Sequence, residues 1–377
     1  MVGRYNDDDY GFAFDNTGKN GHFRDFAWAA WRWLSAGRTS RVIPALLDEL
    51  LRAAGPAGFE GPVAAIVRRE AAAFAEVSDD VLGSTTAVVH GTAGGGLLAV
   101  FAHCDEIGAM VSHVDDDGFL SLHVLGNWGA ATLLDQRVDV NGVIGVVGNR
   151  GTKRKPAWAD LYIDIGVSSR DEALALLALG DPVVVVGPPV ALAGGRLVSK
   201  ACDNRASVYI ALEVLRALAA DPPPWDVAVV ASVQEEGSYA GAATSGFRLA
   251  PDAALVLDVT WATDVPGSSP HEHGHHPLGS GAAILRGPAI HPALFDRAVT
   301  QAAAAGIPYT IEVAQTSFTD ADSVFVAGAG VPCAVVSTPM RRYHSPAETI
   351  QLSDLDASIR LVEAFARSLE PGLDLRR

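Results

Sequence analysis

Cysteine is almost missing from this chain. The three present, Cys104, Cys202 and Cys333, leave no disulfide framework to a 377-residue protein and fit a reducing compartment. Positive charge is also scarce. Lysine and arginine number 28 against 44 acidic residues, for a formal net charge of −16. That balance argues against nucleic acid and anionic membrane surfaces as partners, and it is compatible with a basic or neutral peptide. Long apolar runs are lacking too. The longest candidate for a membrane span, from Ala173 to Gly195, is broken by Asp181, Pro182, Pro188 and Pro189. The opening MVGRYNDDDYGF has an acidic run and no apolar core, so it does not read as a secretory signal. A soluble cytoplasmic protein is expected.

What is present is a globular composition, 49% hydrophobic and 19% charged, in a chain long enough for two domains. Residues 1–40 read as an extension whose second half sets Phe23, Ala27, Ala30 and Leu34 at helical spacing, beside Trp28, Trp31 and Trp33. From Ser40 helical and strand patterns alternate. RVIPALLDELLRAAG and GPVAAIVRREAAAFA read as amphipathic helices, the first closed by Gly55 and the second begun at Pro62. TTAVVH, LLAVFAH, DVAVVASV, ALVLDV, YTIEVA and CAVVST read as strands. Helices are expected after Asp203, from Ala240, near HPALFDRAVTQAAAAG, and over LSDLDASIRLVEAFARSL. Apolar strands interleaved with helices predict a sheet covered on both faces. Residues 109–198 differ. Short strands and the Asp117-Gly118 and Asn141-Gly142 turns predict a small β-rich domain, inserted into a catalytic domain of 41–108 and 199–377. Its one helical stretch has Ser169 as N-cap.

Five stretches end an apolar run in a metal-type ligand. They are FAHCDEIG at His103, SKACDNR at Asp203, VASVQEEG at Glu235 and Glu236, ALVLDVT at Asp258, and RRYHSPAE at His344. In open α/β sheets, ligands bind beyond the carboxyl ends of strands, where residues distant in sequence converge. Each motif alone is modest. An isolated histidine is commonly a hydrogen-bonded core residue, an aspartate before Asn-Arg can cap a helix, and paired glutamates usually form a solvated face. Glu235-Glu236, however, follows a strand too apolar for an exposed face. Two carboxylates there need a cation or a proton. Imidazoles with carboxylates are normal zinc ligation, and two divalent ions can clamp a water and polarise a carbonyl. A carboxylate suits the bridging position, because its two oxygens can reach both ions. Cys104 and Cys202 adjoin two of these residues but read as small buried side chains.

The motifs together resemble the di-metal tetrahedral aminopeptidase family, which includes glutamyl and deblocking aminopeptidases. The matching pieces are AHCDEIGAMV, DLYIDIGVSSRDEA, KACDNRAS, VQEEG, LDVTWATDVPG, TDADS and RRYHSPAE, in family order over roughly residues 45–365. The resemblance implies an α/β fold, a three-layer α/β/α di-metal peptidase domain interrupted by a β-rich domain used in assembly. It implies one metal on His103 and Asp258, a second on Glu236 and His344, and Asp203 bridging them. Glu235 would be the general base, and Asp105 would orient His103. The metals would be two divalent ions, zinc first, cobalt or manganese otherwise. The chain departs from the pattern in its long aromatic extension and in His344 following Tyr343 directly. It also departs in the His-rich PHEHGHHP at 270–277, which reads as a solvated loop.

The expected activity is removal of N-terminal residues from short peptides by a homo-oligomer, up to a dodecamer. Three rivals use the same residues differently. A di-metal amidase or deacylase would act on a non-peptide amide. A metal-stabilised scaffold would have no use for Glu235 beside the ligand Glu236. A glycan hydrolase needs a flanking carboxyl pair and no metals.

Overall fold

The computed structural model describes residues 42–151 and 155–376. The aromatic extension at 1–40 lies outside the described residues.

Eleven strands form one sheet. At its centre Asp226–Ser232, Leu97–His103, Ala253–Trp261 and Cys333–Arg341 run parallel, side by side. Thr85–Val89 and then Glu76–Asp79 extend one side in antiparallel steps. Glu348–Gln351, Arg196–Ser199 and Val190–Leu192 extend the other side in the same way. Two antiparallel steps return Arg196–Ser199 to the direction of the central four. Ala282–Arg286 and Tyr309–Val313 branch from Cys333–Arg341.

The layers follow from strand periodicity. Successive side chains of a strand point to opposite faces. Leu98, Val100 and Ala102 join an apolar cluster with Leu47, Val63, Ala206 and Leu355, from four helices. Ala99 and Phe101 of the same strand join a second cluster with Ala242, from the helix Ala240–Leu249. A sheet buried on both faces is therefore apolar at nearly every position, as the sequence pattern requires. The helix Leu352–Arg367 shows the complementary rule. It buries Leu355, Ser358, Leu361, Val362 and Phe365, one stripe at three- and four-residue spacing.

Six strands between Gly108 and Val185 close into a barrel. Val111, Leu120, Val138, Val147 and Ile163 fill it. Val140 pairs with Val143, so Asn141-Gly142 is a two-residue hairpin loop. Both residues have positive φ, 50° and 94°, which asparagine and glycine tolerate best. Ser169 caps the helix Arg170–Leu176, its hydroxyl accepting from the Glu172 N–H.

The structure differs from the sequence reading at the end of the insertion. Val190–Leu192 and Arg196–Ser199, grouped above with the β-rich domain, pair with the large sheet instead. The backbone of Arg196–Ser199 finds its partner in Glu348–Gln351, far along the chain. The strands Glu76–Asp79, Ala282–Arg286 and Glu348–Gln351 were not anticipated. All are short, and two of them begin and end on polar side chains.

Candidate metal centre

All five candidate ligand segments lie in, or follow, strands that run in one direction. His103 is the last residue of Leu97–His103, and Glu235 and Glu236 follow Asp226–Ser232. Asp203 follows Arg196–Ser199, and His344 follows Cys333–Arg341. Asp258 lies inside Ala253–Trp261 rather than beyond its end. Alternation fixes its side: Leu257 and Val259 pack into the apolar core on one face of the sheet, while the Asp258 carboxyl turns to the site on the other. The turns are tight. Ala201, Gln234 and His344 all have positive φ, 56°, 59° and 50°.

The seven predicted side chains converge. His103, Asp203 and Glu236 offer ligand atoms within 4.8 Å of one another, and His103, Glu235 and Asp258 do so as well. Asp203 lies between the two imidazoles. Its Oδ1 is 3.1 Å from His103 Nε2 and its Oδ2 is 3.3 Å from His344 Nε2. Glu236 Oε1 is 3.1 Å from the same His344 nitrogen, and Glu235 Oε2 is 3.8 Å from His103 Nε2. His344 Nδ1 donates to the Asn127 carbonyl at 2.7 Å, which fixes the tautomer and leaves the Nε2 lone pair open to a cation. Asp105 is fully buried. It accepts from the backbone N–H groups of Glu235 and Glu236, each at 3.0 Å, and its Oδ1 lies 3.4 Å from His103 Nδ1.

The electrostatics call for a cation. Burial lifts the Glu235 carboxyl well above its usual range, opposed by His103 and reinforced by Asp258, Asp320 and Glu236. Burial lifts Asp258 and Glu236 as well. Burial also opposes ionisation of Asp203, yet His103 and His344 hold it low. Burial disfavours the His344 imidazolium, but Asp203 and Glu236 push it up to about 11. Protons thus gather where negative charge lacks a partner. Asp258 Oδ2, Glu236 Oε1 and His344 Nε2 are buried with no aligned hydrogen-bond partner. Carboxylates and imidazoles aiming unpaired atoms at one volume fit a divalent cation. The three cysteines are buried and free, and none joins the ligand groups.

Several contributors went unread in the sequence. Glu348, in RRYHSPAE, is buried and accepts from the Asp203 N–H at 3.0 Å. Asp320, in TDADS, is buried and accepts from Ser232 Oγ; burial pushes its carboxyl up to about 7, against His103 and Ser232. Both lie inside motifs quoted above, but neither motif by itself shows what its carboxylate meets. A cleft of about 1190 Å³ opens from the ligands past Asn127, Trp128, Trp261 and Tyr343. In the His-rich loop, His271 lines this cleft, while His276 is buried, its Nδ1 2.7 Å from Thr310 Oγ1.

The M42 glutamyl aminopeptidase family matches residues 83–361, the span that holds every one of these ligands. The chain belongs to that family. A lysyl aminopeptidase of Pyrococcus furiosus is 32% identical, over 78% of this chain and 88% of its own length. An aminopeptidase from the archaeon Desulfurococcus kamchatkensis superposes with a TM-score of 0.82 at 34% identity, covering 86% of this chain and 94% of its own. The TET1 peptidase of Pyrococcus horikoshii, which can assemble into a tetrahedron or a large octahedral shell, superposes with a TM-score of 0.77 at 26% identity. It covers 86% of this chain and 99% of its own. The M42 chain described here is a metallo-aminopeptidase with the mixed α/β fold of these structures. Membership favours a peptide substrate over the non-peptide amide considered above. Among the described residues, no helix is long and apolar enough to cross a membrane.

Proposed function

We propose that this protein trims short peptides from their N-terminus with two divalent cations, zinc by the nature of the donors. His103 and Asp258 would hold one cation, Glu236 and His344 the other, and Asp203 both. The observation that carries this reading is Asp203, whose two carboxylate oxygens face different imidazoles. When bound, such cations supply a Lewis acid and make water acidic enough to ionise near neutral pH. Glu235 stands beside that volume as general base. It takes a proton from the attacking water as the water oxygen adds to the carbonyl carbon. It then returns the proton to the departing nitrogen as the C–N bond breaks. Burial raises the carboxyl well above its ordinary value, which favours its holding the proton between the two transfers. Asp105 would act behind the ligands, orienting His103 and the glutamate turn.

Three free, buried cysteines support a reducing, cytoplasmic location. Exposed apolar residues on the β-rich insertion, Ile144 and Val146, support self-association through it. Assembly up to a dodecamer would match the closed shells of the structural relatives.

Glu235→Gln tests the mechanism. It keeps size and removes basicity, so metal content should persist while turnover falls by at least about a hundredfold. N-terminal acetylation of the peptide should also abolish cleavage. Near-normal turnover in metal-loaded Glu235→Gln would eliminate the assignment, and cleavage of the acetylated peptide would point to an amidase.

A further inference from the structure

Beyond the candidate ligands, the cleft holds aromatic surface from Trp261, Phe318 and Tyr343, and among the described residues no lysine or arginine lines it. Two carboxylates outside the metal centre sit in its wall, Glu272 of the His-rich loop and Glu312. Glu312 comes from the strand Tyr309–Val313, where the flanking Ile311 and Val313 are exposed and Glu312 turns the other way. Its Oε1 accepts from Thr260 Oγ1 at 2.8 Å. Among the described residues no ion pair reaches it. Burial pushes its carboxyl above the ordinary value, with Thr260 opposing, so the group lacks a countercharge. Thr260 lies two residues beyond Asp258 on the same strand, about 7 Å further along and on the same face. Glu312 therefore stands one long side chain away from the metal centre.

We propose that Glu312 determines specificity in this cleft and selects peptides whose first residue is lysine or arginine, an inference that rests on the aminopeptidase reading. A lysine stem of four carbons has the needed reach and ends in a compact charge. Its ammonium supplies the missing partner, and aromatic surface along the stem adds cation–π attraction. An apolar first residue leaves the half-buried carboxylate without a countercharge, which is a situation that discriminates strongly between substrates. An acidic first residue meets a like charge and no cation.

The test uses the metal-loaded full chain and its Glu312→Gln variant with lysyl, arginyl, norleucyl and glutamyl reporter amides. Norleucine shares the lysine stem without the ammonium. The natural chain should favour lysine over norleucine in kcat/KM, with glutamate lowest. Glu312→Gln should reduce the lysine-to-norleucine ratio at least about thirtyfold, as loss of one partner of a desolvated charge pair does. Calorimetry with free L-lysine and L-norleucine gives a second readout that needs no turnover. Lysine should bind the natural chain more tightly, and Glu312→Gln should erase the difference. An equal loss for all four reporters would mean that Glu312 holds the α-amine or the backbone, and it would overturn the proposal. So would norleucine binding as tightly as lysine. Failure of every reporter in metal-loaded protein that still discriminates lysine would remove the aminopeptidase reading and leave the Glu312 contact standing.

Discussion

Replacing Asp105 with asparagine keeps the shape of the side chain and removes its charge. Asp105 holds two backbone donors, the N–H groups of Glu235 and Glu236, and faces the His103 ring. An amide oxygen can accept one of the two N–H groups. The amide nitrogen then confronts the other, donor against donor, at a residue with no solvent exposure. A buried donor left without an acceptor costs about 1–3 kcal/mol. His103 also loses the carboxylate that orients it, and losing such an outer partner typically costs 10–100-fold in metal affinity. For Asp105→Asn the expected outcome is thus twofold: metal-free protein less stable by about 1–3 kcal/mol, and metal binding weaker by roughly 10–100-fold. Urea unfolding after chelation reads the first effect. Competition with a chromophoric chelator reads the second. Unchanged metal affinity in folded Asp105→Asn would refute the orienting role, whatever the stability.

Asp203→Ala should release both ions, because its oxygens face both imidazoles, whereas Asp258→Ala or His344→Ala should release mainly one. Elemental analysis decides this, and two ions per chain in Asp203→Ala would contradict the bridge. The Asp354 carboxyl accepts from the N–H groups of Gly279 and Gly281, and burial, against those bonds, pushes it up to about 6 from 3.8. Its folded form binds the proton more tightly than its unfolded form. Its contribution is therefore fully present below pH 3.8 and is lost as pH rises through about 6. Between these limits the natural chain should lose more stability than Asp354→Asn. Parallel urea midpoints at both pH values measure the difference, and identical declines would rule the linkage out.

The central layer was legible because a doubly covered strand has nothing but apolar residues to show. LLAVFAH and DVAVVASV announce both the strand and, at the break in apolarity, the site. Asp105 was legible through its two-residue spacing from His103 and the family motif. Glu348 was not. Its role comes from a hydrogen bond to the N–H of Asp203, 145 residues away, and no local pattern encodes that meeting. The same holds for the strand Glu348–Gln351, which exists because Arg196–Ser199 lies beside it. The boundary of the insertion failed for this reason as well. Short β-type segments on either side of Gly187 look alike in sequence, and only their partners separate barrel from sheet. Glu312 reads as an ordinary alternating residue in YTIEVA until Thr260 is seen across from it.

The ligands are strung from residue 103 to residue 344 of a 377-residue chain. A ribosome releases the first long before the last. The nascent protein can bury much of its sheet while Asp203 still lacks one of its imidazoles. The centre is finished only when Cys333–Arg341 docks beside Ala253–Trp261 and carries His344 into place. A product terminated before that strand has half of the histidines and an unmatched carboxylate cluster. On the proposed ligand set, peptide cleavage would be reserved for chains that have extended past His344.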